Sequence, residues 1–306
     1  MSAHRHDLAE RVATRGMGWL HDNRHRGAFP AETTTAAVEP DKVHKPLGES
    51  ALAAGVVLRA AAALRGQQAR AARLLEFCWR QIRCGDLLYE RQLRHPLMTD
   101  PLEVYAQFAA AGLRHEQLDA LLAHLTASRS WWAVEVMPNR RLAVANAARL
   151  AGLSRPEDWR PLVEATWLGQ RPEPWLIDWA TAYAVTHTVF HITDWGLRPG
   201  CLPEPVVTYL ERWMPVWMRV WGEICDWDLL AELLVVDACL PRPQCPPDMW
   251  RLLADAQRDD GLVPRDGQPV TDDEQEAFTD HHHTTAVAVM AGALALVRAG
   301  DAGPTP

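Results

Sequence analysis

The residues best equipped for chemistry lie in TAYAVTHTVFHITDWG, 181–196, where His187, His191 and Asp194 recur at i, i+4 and i+7. At helical spacing they share one face. One turn rises about 5.4 Å, so two imidazoles placed this way can grip one ion or one substrate. The positions between them are Val185, Val189, Phe190, Ile192 and Trp195. Such a helix is apolar almost all round, and its polar face must look into something other than bulk water. Three roles fit. His187 and His191 are metal ligands, with Asp194 a third ligand or the acceptor that fixes a tautomer. Alternatively, they shuttle a proton. The third role is two core histidines, bonded to Thr186, Thr188 or backbone carbonyls.

A second set occurs in CDWDLLAELL, where Asp228 and Glu232 stand one turn apart among Leu229, Leu230, Leu233 and Leu234. Two acids in an apolar helix are costly unless a metal, a shared proton or an arginine such as Arg140 or Arg141 meets them. Paired carboxylates also equip an enzyme for general acid and base work. Asp226 suits the N-cap of that helix.

HHHTT, 281–285, opens the last long apolar segment. Successive helical positions point about 100° apart, so one or two of the three imidazoles face inward. His282 shares a face with Thr285, and His281 shares one with Thr284 and Thr285; Thr279 or Asp280 is the expected cap. We take His282 as the third imidazole, catalytic or metal-binding, and Thr285 as a substrate contact.

VHKPLGES brings His44 and Glu49, as candidate substrate contacts, to the start of another helix, and Asp100 and Glu103 repeat that pattern. Arg140, in MPNRR, would hold a carboxylate, phosphate or sulfate. Trp131, read as part of a loop, is a candidate substrate wall.

These residues need elements to hold them, and the elements read as helices. Alternating strand patterns are scarce, whereas helical periodicity is expected over 6–22, 49–65, 68–82, 101–113, 116–127, 140–152, 157–168, 175–195, 204–222, 226–240, 247–257 and 282–298. Pro or Gly marks nearly every gap. Every second helix is Ala-rich and smooth, as in ESALAAGVVLRAAAAL and HTTAVAVMAGALALV. The others carry long charged side chains and Trp, as in YLERWMPVWMRVW. Smooth helices buried on all sides, alternating with amphipathic ones facing water, suit an all-α toroid of about six helix pairs. An irregular α-solenoid or helical bundle is the alternative. The Trp213, Trp217, Trp221 stripe reads as packing on an outer helix.

The bulk properties narrow the partners. The 306 residues are expected to form a single all-α domain, with 1–5 and 300–306 as flexible ends. The net charge of −8 shows no basic patch, which argues against nucleic acid. MSAHRHDLAERV has no apolar signal core, and AVAVMAGALALV falls short of the roughly 18 residues that span a bilayer. Six scattered cysteines without a CxxC pair suggest a reduced, cytoplasmic protein. A composition rich in Ala, Arg and Trp suggests GC-rich, actinobacterial DNA. No G-x-G-x-x-G, P-loop, G-x-S-x-G or H-E-x-x-H occurs, so no nucleotide cofactor and no serine chemistry is indicated.

Gln257-Arg258-Asp259-Asp260-Gly261, followed by Phe278-Thr279-Asp280-His281-His282-His283-Thr284-Thr285, resembles the Q-x-x-DG…H-T-T junction of toroid proteins. That group includes terpene-cyclase-like, prenyltransferase-β-like and lanthionine-cyclase-like domains. The resemblance covers about thirty residues. It implies a pocket at one mouth of the toroid, lined by inner-helix ends. The chain lacks a DxDD acid motif and a Cys-His-Gly zinc set, so neither polyprene cyclisation nor thiol activation carries over. His44-Lys45-Pro46-Leu47-Gly48-Glu49 and Asp226-Trp227-Asp228-Leu229-Leu230-Ala231-Glu232 also resemble a functionally unassigned family of helical proteins from actinobacterial natural-product pathways.

The expected function is a small-molecule biosynthetic enzyme of lyase, cyclase or hydrolase type. Its imidazoles would hold Zn or Fe(II) or move a proton, and a carboxylate would act as base. The competing readings are a partner subunit that stabilises or gates another biosynthetic enzyme in a heterocomplex, and a small-molecule binding protein.

Overall fold

A computed structural model describes residues 3–29, 40–60, 62–153, 158–244 and 246–301. Among them the chain is all-helical, with no strand. Helices α1 (Ala3–Asp22), α2 (Pro40–Arg59), α3 (Gln68–Gln81), α4 (Asp86–Arg94) and α5 (Asp100–Ala110) come first. Next are α6 (Glu116–Thr126), α7 (Arg129–Val134), α8 (Pro138–Leu150), α9 (Trp159–Glu164) and α10 (Trp167–Gln170). The last are α11 (Trp179–Thr193), α12 (Glu204–Glu223), α13 (Trp227–Cys239), α14 (Pro247–Ala256) and α15 (Glu274–Asp301).

Six of these pack in a closed circuit: α2 on α5, α5 on α8, α8 on α11, α11 on α13, α13 on α15, and α15 back on α2. They are the six smooth helices of the sequence. The rest flank the circuit, α1 against α15, α14 and α3, and α12 against α13 and α14. Composition accounts for the division. α13 buries every side chain from Asp228 to Cys239. α3 buries only Ala71, Leu74, Leu75, Cys78 and Trp79, one amphipathic stripe. In the Trp stripe of α12, Trp217 and Trp221 are buried and Trp217 Nε1 donates to Pro174 O at 3.0 Å, so the stripe is packing.

Several boundaries differ from expectation, each for a local reason. The helix expected from 175 starts at Trp179, because Asp178 and Thr181 form a reciprocal capping box. The helix expected from 282 starts at Glu274: Asp273 Oδ1 accepts from the N–H groups of Gln275 and Glu276, both at 2.9 Å, so Thr279 and Asp280 are interior. α2 runs through Pro46 from Pro40. Trp131 and Trp132 lie in α7 rather than in a loop. Of the ends expected to be flexible, 1–2 and 302–306 lie outside the described residues, and the backbone at 3–5 and 300–301 is helical.

Glu274–Gly300 is long and apolar enough to cross a membrane, by length and composition, with an 18-residue mean hydropathy of 1.3. Reading unbroken apolar runs missed this. In the fold 72% of that window is buried, and the helix packs on α1, α2 and α13.

The QRDDG…HTT stretch is a structural joint. Gln257 Nε2 donates to Val12 O of α1 at 3.1 Å and to Gly261 O at 3.0 Å. Gly261 has φ 103° and passes so close to α1 that a Cβ would sit 2.3 Å from Arg15 O. Thr285 Oγ1 accepts from Val263 N and donates to His281 O, both at 3.0 Å. These bonds tie the first and last helices together. They also overturn the expectation that Thr285 contacts substrate.

Candidate active site

A cavity of about 650 Å³ is lined from all six helices of the circuit. Its apolar side is formed by Leu52, Val104, Leu150, Val287, Met290 and Trp195. Trp195 follows α11 at φ 52° and stacks on Phe190 with ring centroids 4.4 Å apart.

The polar end is built on α13 and α15. Asp228 and Glu232 are 3% and 1% exposed. His283, on α15, places Nε2 3.7 Å from both Asp228 Oδ2 and Glu232 Oε1. Its Nδ1 lies 2.9 Å from Glu49 Oε1, a charge contact out of line for a hydrogen bond. Hydroxyls hold the carboxylates from behind. Thr284 donates to Asp228 Oδ1 at 2.6 Å, Tyr183 donates to Asp228 Oδ2, and Thr186 donates to Glu232 Oε2.

The electrostatics follow from this crowding of acids. Burial alone would lower the His283 pKa, but the carboxylates of Glu49, Glu232 and Asp228 outweigh it and raise the value well above the ordinary range. Burial would raise Glu49, but the charge of His283, the bond from His282 and the charge of His282 hold it far below the usual carboxylate range. Burial and the adjacent Asp228 push the Tyr183 hydroxyl up, so it stays a donor.

His187 and His191 line the same cavity, as their spacing suggests, with ring centroids 6.0 Å apart. His187 Nδ1 faces Tyr183 O at 2.9 Å, so the tautomer that satisfies this carbonyl leaves the lone pair on Nε2. Burial, then the neighbouring charges of His187 and Arg140, lower the His191 pKa to about 3. Arg140 lines the cavity too, but both its terminal nitrogens are engaged by Glu103, with Nη1 2.7 Å from Oε2. Asp100 is paired likewise with Arg91 at 2.6 Å. Neither Asp228 nor Glu232 is met by Arg140, contrary to one alternative.

Other sequence assignments change. Asp194 turns away from the imidazoles: it is the C-cap of α11 at φ 50° and bonds Arg149 at 2.6 Å, so it is neither ligand nor tautomer-fixing acceptor. The α-helical i+7 position fails here because the helix has already ended. His282 is not the inward imidazole. It is buried between Phe278 O and Glu49 Oε2, each 3.0 Å away, and positions Glu49. His281 accepts from Arg265 N at 3.1 Å. Trp131 is 1% exposed and lines no part of this cavity, whereas Trp195 does line it. His44 falls on α2, its side chain outside the described residues. Glu49 is in place.

Of the three consecutive histidines, one or two of which were expected to face inward, His283 is the one beside the acids, whereas Tyr183, Thr186, Thr284 and Trp195 were not foreseen as functional. Tyr183 had a signal, standing one turn before His187 on the same face. The others had none, because their roles depend on which helix stands opposite.

Residues 13–293 match the model of a family described as Domain of unknown function (DUF6895). No curated protein and no solved structure matches the chain.

Proposed function

Since the chain belongs to that family, whose description carries no activity, we propose its function from the cavity: a small-molecule biosynthetic enzyme of lyase, cyclase or hydrolase type. One observation carries the reading. Glu232, 1% exposed, and His283 line one end of a cavity that is otherwise largely apolar, and Asp228, 3% exposed, stands behind them 3.7 Å from His283 Nε2. Convergent ionisable groups in such a pocket are the usual equipment of a catalytic site. A volume of about 650 Å³ suits a ligand of metabolite size.

In this reading the apolar body of the substrate lies along Leu52, Val104, Trp195 and Met290. Its reacting polar group meets Glu232 and His283. His187 takes or returns a proton through Nε2, and Glu232 Oε2, 3.9 Å from Nδ1, stabilises the charged ring. The architecture we propose is an α/α toroid with this cavity at its centre, supported by the closed circuit of six helices. The proposed location is the cytoplasm.

The test is turnover of metabolite extracts by the purified protein, followed by mass spectrometry. A specific metabolite should be consumed, and His187→Asn, with unchanged circular dichroism, should slow that by about 100-fold or more. No consumption, or equal rates from the variant, sinks the catalytic reading. A partner-subunit reading is favoured by a separate observation: Trp175, Leu176 and Trp179 lie together in sequence and all stand more than half exposed. Co-purification that depends on Trp175 and Trp179, with no turnover alone, would select it.

A further inference from the structure

We infer that Asp228, Glu232 and His283 form a site for one divalent ion of the zinc, iron(II) and manganese(II) class, open towards the cavity. The assignment rests on the catalytic reading for its purpose but not for its existence. It replaces the ligand set expected around His187, His191, Asp194 and His282.

The spacing of the donors is the first argument. Asp228, Glu232 and His283 each offer a donor atom within 4.8 Å of the other two, and His283 Nε2 is 3.7 Å from both Asp228 Oδ2 and Glu232 Oε1. That is too long for a hydrogen bond. It is close to the separation of about 3.4 Å that two donors adopt around an ion bonded to each at about 2.1 Å in a tetrahedral site.

The second argument is what each donor atom lacks. Thr186 donates to Glu232 Oε2, leaving Oε1 turned to the His283 side on a residue that is 1% exposed. Asp228 Oδ2 receives Tyr183 and keeps a second lone pair. Among the described residues the charged contacts of these two acids are imidazoles, His283 at 3.7 Å from both and His187 at 3.9 Å from Glu232, and no arginine or lysine bridges them. Arg140 on α8 is engaged by Glu103 of α5, and Arg149 by Asp194. Lys45, on α2, stands 3.8 Å from Glu49 and is mostly exposed.

The surrounding groups match a metal site's outer layer. Glu49 Oε1 stands 2.9 Å from His283 Nδ1, on the opposite side of the ring from the two acids, where metal-bound histidines keep a carboxylate. Tyr183, Thr284 and Thr186 orient the carboxylates. An oxygen, oxygen, nitrogen donor set without thiolate favours the borderline ions over calcium or copper(I). Three protein donors leave a position for water or substrate, and Glu232 and His283 both line the cavity.

The experiment uses the untagged full chain, stripped with a chelator and dialysed against Zn²⁺ or Mn²⁺ alone. Bound metal is read by mass spectrometry, and the ligand field by the absorption of a Co²⁺-loaded sample. About one equivalent is expected. Asp228→Asn, Glu232→Gln and His283→Asn should each weaken binding by about 100-fold, and Glu49→Gln by about 10- to 100-fold, while His191→Asn changes it little. Where a variant does not fold, X-ray absorption of the wild-type zinc form decides instead, and should give oxygen and nitrogen donors at about 2.0–2.2 Å. Less than about a tenth of an equivalent, or loss of the ion in His191→Asn with retention in the three ligand variants, overturns the site. Full occupancy without turnover upholds it while the catalytic reading fails. Turnover by protein that binds no ion overturns the site and leaves the catalytic reading standing.

Discussion

At the residue scale, one helical step decides what a histidine does. His281, His282 and His283 are consecutive, yet one receives a backbone N–H, one steadies Glu49 and one faces two buried acids. His191 shows what burial among positive neighbours does. Its folded pKa of about 3 lies below the ordinary histidine value, so a falling pH protonates the unfolded chain first. The stability tied to this neutral ring is therefore complete above pH of about 6.5 and is lost progressively towards the folded value. Between pH 7.5 and 5 that amounts to about 2 kcal/mol. Urea unfolding at the two pH values should show wild type losing about that much more than His191→Asn. Equal losses would mean the ring takes up its proton in the folded state.

At the element scale, close helix approach replaces large side chains. A Cβ at Gly292 of α15 would lie 2.5 Å from Ala9 O and 2.9 Å from the Ala13 Cβ of α1. Gly292→Val should cost about 2 to 3 kcal/mol, seen as a lower urea midpoint, because backbone and not a flexible side-chain end must give way. Gly18 of α1 meets nothing within 4 Å, so Gly18→Ala is the matched control and should be neutral or stabilising. A Gly292→Val protein as stable as wild type would show that α1 and α15 can separate. The Asp178–Thr181 capping box acts at the same scale, starting α11 where its turns carry Tyr183, His187 and His191 to one face.

At the scale of the whole molecule, α15 connects distant parts of the chain. It packs on α1, α2 and α13, and contributes His283, Val287 and Met290 to the cavity. Ending the chain after Asp273 would expose the apolar faces of three helices at once. We expect that truncation to abolish cooperative thermal unfolding, measured by calorimetry, and not merely to lower the midpoint. A sharp transition retained by the shortened chain would mean the remaining helices form an independent unit.

The all-helical class, the alternation of smooth and amphipathic helices and the inward face of His187 and His191 were legible in the sequence. Each is a property of periodicity or composition along a single helix. So was the burial of Asp228 and Glu232, given the leucines around them. What only the tertiary structure decided is who meets whom. Asp194 reads as part of the polar face until the helix ends one residue earlier and Arg149 claims it. Glu49 and His283 are 234 positions apart in the chain, and no local pattern links them; they touch because α15 closes against α2. Spacing within a helix is set by its own geometry, whereas facing partners are chosen by the packing of all six.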